Sequence, residues 1–332
     1  MDIQTDNILL DVRDLQVFFR GDRTIARAVD GVSFQVRRQE TVCIVGESGC
    51  GKTVTALALL GLLPSPPAEI AGGQALFNGR DLLTLEEAAL QSIRGRKIAM
   101  VFQEPMTSLN PLFTIGNQIE EAIRIHNRLA LAEIQERCIQ LLTDVGIRDA
   151  HRRLADYPHQ LSGGQRQRVM IAMALACEPD LVIADEPTTA LDVTVQSRIL
   201  KLLRDLKERH HMAIQYITHD LGVVSSIADR VYVMYAGMVV EEATAGELFN
   251  QPGHPYTQAL LAALPTREKR GQRLYNIAGN VPHPAYKPAG CPFHPRCRYR
   301  ITTCETDLPD MVDHGNGHLV RCPVVDYPLE EL

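Results

Sequence analysis

Val42-Cys43-Ile44-Val45-Gly46-Glu47-Ser48-Gly49-Cys50-Gly51-Lys52-Thr53 runs from a short apolar segment into a glycine-rich one that fits G-x-x-x-x-G-K-[ST]. The apolar run predicts a buried parallel strand. Val54-Thr55-Ala56-Leu57-Ala58-Leu59-Leu60 predicts a helix that Pro64 stops, which completes the strand, loop and helix that the pattern needs. Glycines let backbone N–H groups turn inward around a phosphate, and the start of the helix adds partial positive charge at the same spot. Lys52 brings a full charge for the outer phosphates, and the Thr53 hydroxyl suits Mg²⁺. Gly46, Glu47, Ser48, Gly49, Cys50, Gly51, Lys52 and Thr53 are therefore candidate ATP-binding residues.

This loop alone leaves GTPases, kinases and many ATPases open. A second segment, Leu161-Ser162-Gly163-Gly164-Gln165, narrows the choice. It precedes the helical pattern Arg166-Gln167-Arg168-Val169-Met170-Ile171-Ala172-Met173-Ala174-Leu175, with Ser162 placed to cap it and glycines that allow close backbone approach. Physically it is another anion site. A further apolar run, Leu181-Val182-Ile183-Ala184, ends in the carboxylates Asp185 and Glu186.

With these elements the chain resembles the ATP-binding cassette (ABC) family over roughly residues 8 to 245. The resemblance is carried in order by the P-loop, Gln103 after Ile98-Ala99-Met100-Val101-Phe102, the Leu161 to Gln165 signature, Asp185-Glu186, Ala190-Leu191-Asp192, and His219 after Ile214-Gln215-Tyr216-Ile217-Thr218. It implies an α/β fold, a P-loop ATPase core with an antiparallel β subdomain and a helical subdomain at about 104–178. It also implies a head-to-tail dimer, in which Ser162, Gly163, Gly164 and Gln165 of one chain close over ATP held by the P-loop of the other.

By that resemblance Asp185 orients Mg²⁺ through water and Glu186 polarises the attacking water. Gln103 is the sensor of Mg²⁺ and that water, His219 contacts the γ-phosphate, and Asp192 sits at the dimer seam. Phe19 is the expected aromatic over adenine, with its neighbour Phe18 facing the core by strand alternation. Phosphoryl transfer asks mainly for position and charge stabilisation, which this set supplies.

The Pro-bounded loop Glu104-Pro105-Met106-Thr107-Ser108-Leu109-Asn110-Pro111 follows Gln103. In the family this region receives a coupling helix from the membrane subunit; an ordinary exposed loop is the plainer alternative.

The 332 residues, 45% of them hydrophobic, suffice for more than one domain, and the boundaries expected are 1–245 for the cassette and 246–332 for an extension. No apolar run approaches the ~18 residues of a membrane span, and Met1-Asp2-Ile3-Gln4-Thr5-Asp6 lacks a signal segment. The expected location is peripheral, on the cytoplasmic face of the membrane. A net charge of −6 and the absence of Trp offer no field or stacking platform for nucleic acid. The basic cluster Arg267, Lys269, Arg270 and Arg273 reads as a solvated surface, offset in part by Glu268.

Beyond 245 the chain is Pro-punctuated, with Gln251-Pro252-Gly253-His254-Pro255-Tyr256-Thr257, a helical run Gln258-Ala259-Leu260-Leu261-Ala262-Ala263-Leu264, and Val281-Pro282-His283-Pro284. Of the eight cysteines, Cys43, Cys50, Cys138 and Cys177 are scattered through the cassette. Cys50, inside the P-loop, is a candidate for oxidation. Cys291, Cys297, Cys304 and Cys322 are gathered in the tail, which in a cytosolic chain suggests a metal over disulfides. Their spacing has no Cys-x-x-Cys, and thiolates suit zinc or an iron–sulfur cluster.

The His254-Pro255-Tyr256-Thr257 stretch, this tail and the Glu104 to Pro111 loop resemble the ATPase subunits of oligopeptide, dipeptide and nickel importers. That resemblance implies a small irregular metal-binding extension with a [4Fe–4S] cluster on the four cysteines, zinc being the alternative, and Arg296, Arg298 and Arg300 offsetting its charge. It also implies as partners a second ATPase subunit, a paralogue, with two transmembrane permease subunits and an extracytoplasmic substrate-binding protein. Two other readings compete: a soluble ABC ATPase of DNA repair or translation, and a metal-sensing regulator that uses ATP to change shape. Repair members need a long coiled coil between P-loop and signature, for which no heptads appear, and translation members usually carry two cassettes.

Overall fold

The computed structural model describes residues 7–21, 23–104, 108–189, 191–265 and 275–324. Pro105, Met106 and Thr107 of the expected coupling loop, Ala190, and the basic cluster Arg267, Lys269, Arg270 and Arg273 lie outside these residues. The chain divides into two compact units, one of Met1–Val36, Thr41–Thr84 and Ile217–Leu332, the other of Arg37–Glu40 and Leu85–Tyr216. The 246–332 extension thus shares a unit with the P-loop.

In the first unit, β1 (Ile8–Arg20), β2 (Ile25–Arg37), β4 (Ala68–Phe77) and β5 (Arg80–Asp81) make an antiparallel sheet in the order β2-β1-β4-β5. A second sheet contains β3 (Thr41–Val45), all of whose residues are buried, parallel to β9 (Arg230–Tyr235). β10 (Met238–Thr244) turns back antiparallel to β9 through Ala236 and Gly237, both at positive φ, as a tight two-residue hairpin requires. The P-loop leaves the carboxyl end of β3 and enters the helix Lys52–Leu59. That helix stops before Pro64, at Gly61, whose φ of 58° takes the chain out of helical geometry.

The second unit holds β6 (Ile98–Val101), β7 (Leu181–Asp185) and, up to Tyr216, β8 (Ala213–Thr218) in adjacent positions, β6 and β7 parallel with Val101 opposite Ala184. Its helices follow the apolar spacing of the sequence. Ile115, Ile119 and Ile123 bury one face of Ile115–Arg124, and Ile134, Cys138, Leu141 and Leu142 do so for Leu131–Asp144. The helix Val193–His210 begins ahead of the apolar pattern because Asp192 caps it, its Oδ1 accepting the Val195 N–H at 2.9 Å.

The extension returns to the sheet. β11 (Val312–Asp313) and β12 (Leu319–Val320) form a hairpin whose inner strand pairs with β10, Val320 opposite Glu241. Glu241 is fully buried and accepts from the Gly253 and His254 N–H groups at 2.7 and 2.9 Å, and faces His318 Nε2 at 2.8 Å. Phe293 packs among Tyr235, Tyr256 and His254 with ring centroids 5.2, 5.4 and 5.8 Å away.

The metal-binding character expected of this extension is corrected. Among the described residues no group of three His, Cys, Asp or Glu side chains could hold a metal ion, so the [4Fe–4S] cluster and zinc both drop out, and Cys291, Cys297, Cys304 and Cys322 are free cysteines. Their chemistry is that of thiols. Burial pushes Cys297 up to about 11 and Cys322 up to about 12, and raises Cys291 as well. Cys322 Sγ is engaged locally, donating to the Val324 carbonyl at 3.7 Å and accepting its N–H at 3.4 Å.

Candidate nucleotide site

The P-loop is shaped by backbone crowding. A Cβ on Gly46 would stand 2.2 Å from the Met234 carbonyl oxygen, and one on Gly51, at φ 103°, 2.5 Å from that of Ala28. Neither position admits a side chain. On Gly49 an added Cβ meets nothing within 4 Å, which marks an open side of the loop.

Lys52 is 5% exposed, yet its Nζ donates to two carbonyl oxygens, Gly46 at 2.7 Å and Glu47 at 3.0 Å, with Cys50 Sγ at 3.7 Å. Among the described residues no carboxylate pairs with it. A buried ammonium held by neutral partners retains its attraction for an anion, so the loop fits a phosphate chain. Gly51 caps the helix Lys52–Leu59 without a side chain, so the first N–H groups there suit the same ligand. Burial raises the Cys50 thiol, its net shift upward despite nearby Lys52, which disfavours the thiolate.

Phe18 and Phe19 are both half-buried at the end of β1, and neither sinks into the core as alternation predicts, a place that Val17 takes instead. Phe18 lies under Arg27, whose Cζ is 5.6 Å from the ring centroid, and lines a cavity of about 510 Å³ with Ile25, Asp30, Met238 and Lys287. Phe19 pairs with Ala68 at the edge of that strand. His219 is exposed just past β8.

In the second unit the strand ends bring Gln103 and Glu186 together. β7 ends at buried Asp185, and Glu186 takes a left-handed φ of 44°. Its Oε2 accepts from Gln103 Nε2 at 3.1 Å and from Thr189 Oγ1 at 2.9 Å. One carboxylate is thereby oriented by two neutral donors, a geometry suited to a group that polarises water. Sequence reasoning missed Thr189, whose place three residues after Glu186 was the available signal.

The signature opens the helix Gly163–Ala174 with a capping box. Ser162 Oγ accepts the Gln165 N–H at 3.3 Å while Gln165 Oε1 accepts the Ser162 N–H at 2.9 Å. Ser162 and Gly163 are exposed, so this helix start is open to a second molecule. Among the described residues no helix is long and apolar enough to cross a membrane.

Residues 29–189 match the family described as ABC transporter, and residues 240–304 match the C-terminal region of oligopeptide/dipeptide transporters. The chain is 51% identical to the probable peptide ABC transporter ATP-binding protein y4tR of Sinorhizobium fredii, covering 95% of each. It is 48% identical to the oligopeptide transport ATP-binding protein AppD of Bacillus subtilis, over 95% of this chain and 96% of that one. Against the dipeptide transport protein DppD of Haemophilus influenzae it is 48% identical, over 97% and 96%. Among solved structures, it resembles the dimeric post-hydrolysis ATP-binding cassette MJ0796 bound to ADP and Pi, with a TM-score of 0.63 and 28% identity over 71% of this chain and 98% of that one.

Proposed function

From the premise that this chain belongs to the ATP-binding proteins of peptide ABC transporters, we infer that it hydrolyses ATP to drive peptide import through a membrane permease. The observation that carries the reading is the buried Lys52 ammonium, held by two loop carbonyls and the Cys50 sulfur, with no carboxylate partner among the described residues. Its relatives are named for oligopeptide and dipeptide transport, which favours peptide over nickel cargo and over repair or translation.

Lys52 and the loop N–H groups would bind the phosphates, and Thr53, Gln103 and Asp185 are the residues suited to Mg²⁺. The ion supplies charge neutralisation on the phosphate oxygens when bound. Glu186, held by Gln103 and Thr189, takes the proton of the attacking water. His219 touches the γ-phosphate, and Phe19 stacks on adenine. The dimeric MJ0796 cassette supports a pairing in which the exposed Ser162 and Gly163, with Gly164, Gln165 and Asp192, meet nucleotide held by a second ATPase subunit, which we assign to a paralogue. Two permease subunits and an extracytoplasmic binding protein complete the importer, and the chain sits peripherally at the cytoplasmic face. Glu104, Ser108 and Asn110 belong to the surface assigned to permease contact, with Leu109 buried beneath them.

Glu186→Gln tests the assignment in the assembled transporter. The variant retains ATP, while phosphate release and peptide uptake fall at least about 100-fold. Unchanged hydrolysis removes Glu186 from its role, and uptake that persists without hydrolysis removes the coupling.

A further inference from the structure

The C-terminal extension grips the P-loop at Glu47, a contact that phosphate binding alone does not call for. The Glu47 N–H donates to the Tyr256 hydroxyl at 2.9 Å. Its carboxylate receives both ends of the Arg296 fork, Nη1 to Oε2 at 2.7 Å and Nη2 to Oε1 at 3.1 Å. Arg296 is itself held in place. Its side chain is 5% exposed, its Nε donates to the Ala278 carbonyl at 2.9 Å, and its Cζ lies 5.7 Å from the Tyr235 ring centroid and 6.0 Å from that of Phe293. Tyr256 is fully buried.

A carboxylate inside a loop built for a polyanion is an electrostatic liability. It repels the ligand, and where water is partly excluded the repulsion is poorly screened. A bidentate guanidinium cancels that charge and fixes the rotation of the carboxylate at once. The Glu47 peptide is pinned on both sides as well. Its N–H goes to Tyr256, and its carbonyl accepts from Lys52 at 3.0 Å. Any tilt of this residue therefore moves the lysine's resting partner. In sequence Tyr256 and Arg296 lie far from the loop, yet all three residues belong to one compact unit.

We propose that Arg296 and Tyr256 are positioning residues for ATP: by neutralising and fixing Glu47 they set the P-loop, so the C-terminal extension governs nucleotide affinity. The proposal rests on the ATP-binding reading above. It gives the extension a role within this chain.

The test uses the full-length chain and its variants Arg296→Met, Arg296→Lys and Tyr256→Phe. Three readouts are equilibrium ATP binding with and without Mg²⁺, hydrogen exchange of the amides of residues 46–53 without nucleotide, and steady-state hydrolysis. Arg296→Met is expected to weaken ATP binding about tenfold, to speed exchange in the loop, and to raise KM while kcat stays within about twofold, as uniform binding loss requires. Arg296→Lys retains the charge without the fork and falls between, and Tyr256→Phe weakens binding about threefold. Adding Glu47→Gln to Arg296→Met removes the uncompensated charge and restores most of the affinity. Arg296→Met with native melting and unaltered ATP affinity overturns the proposal, as does a loss that Glu47→Gln leaves in place. If Arg296→Met does not fold, Arg296→Lys and Tyr256→Phe decide on the same readouts. Wild-type protein that fails to bind ATP defeats the functional reading itself, whereas wild-type binding with unaffected variants defeats only the clamp.

Discussion

The P-loop at 46–53 is shaped by main chain, whereas the tail from Cys291 to Val324 is anchored by rings and by one buried carboxylate of β10. In the loop, glycines abut the Met234 and Ala28 carbonyls and Lys52 leans on two more. At the tail, Phe293 fills the space between Tyr235, Tyr256 and His254, and Glu241 of β10 collects three donors, among them His318. Backbone constraints over consecutive residues leave a pattern in the sequence. Packing between distant residues leaves only residue types, and four gathered cysteines together with family likeness suggested a metal where free cysteines sit.

Breaking the loop has the largest expected effect. Gly51→Ala forces a Cβ toward the Ala28 carbonyl at a φ of 103°, at a cost of about 4 kcal/mol, and abolishes ATP binding. Thermal melting and nucleotide titration read both losses, and near-native behaviour in either breaks the account of the loop. In the tail, Phe293→Ala removes a ring that is 3% exposed and costs about 3 kcal/mol, whereas Cys297→Ser costs under about 1 kcal/mol. Denaturant unfolding compares the two. Equal losses would return the thiols to a structural role.

The smallest effect is a pH dependence around Glu241. The hydrogen bond from His318 to Glu241 holds that imidazole above its ordinary range, against the opposing pull of burial. Its folded value exceeds its unfolded one, so the stability it supplies is complete below pH ~6.5 and fades as pH rises through the raised value. Burial pushes His254 down to about 4, the opposite sense, so its contribution is full above pH ~6.5 and is lost as pH falls toward 4. His318→Gln is expected to flatten the alkaline side of the melting profile and leave the acid side in place. An unchanged alkaline side removes His318 from the tail's anchorage.

Much of the fold was legible because its signals are local. The buried strand read at Val42 to Val45 is found as Thr41–Val45, and Ser162 caps the helix it precedes. The approach of Gln103 to Glu186 came from family likeness, and the parallel pairing of β6 with β7 supplies its geometry. The bond from Arg296 to Glu47 was illegible, since no periodicity links a Pro-punctuated tail to a glycine loop. Phe18 does not face the core as alternation predicts and instead lines a cavity.

The most direct test of ATP use at this loop is phosphate release by the assembled transporter with ATP and Mg²⁺, beside ATP titration of the full-length chain, each with wild type and with Lys52→Ala. The account predicts turnover in the wild type and, in Lys52→Ala, ATP affinity lower by about 100-fold, equivalent to ~2.7 kcal/mol of lost phosphate interaction. Wild-type affinity and turnover in Lys52→Ala would contradict it.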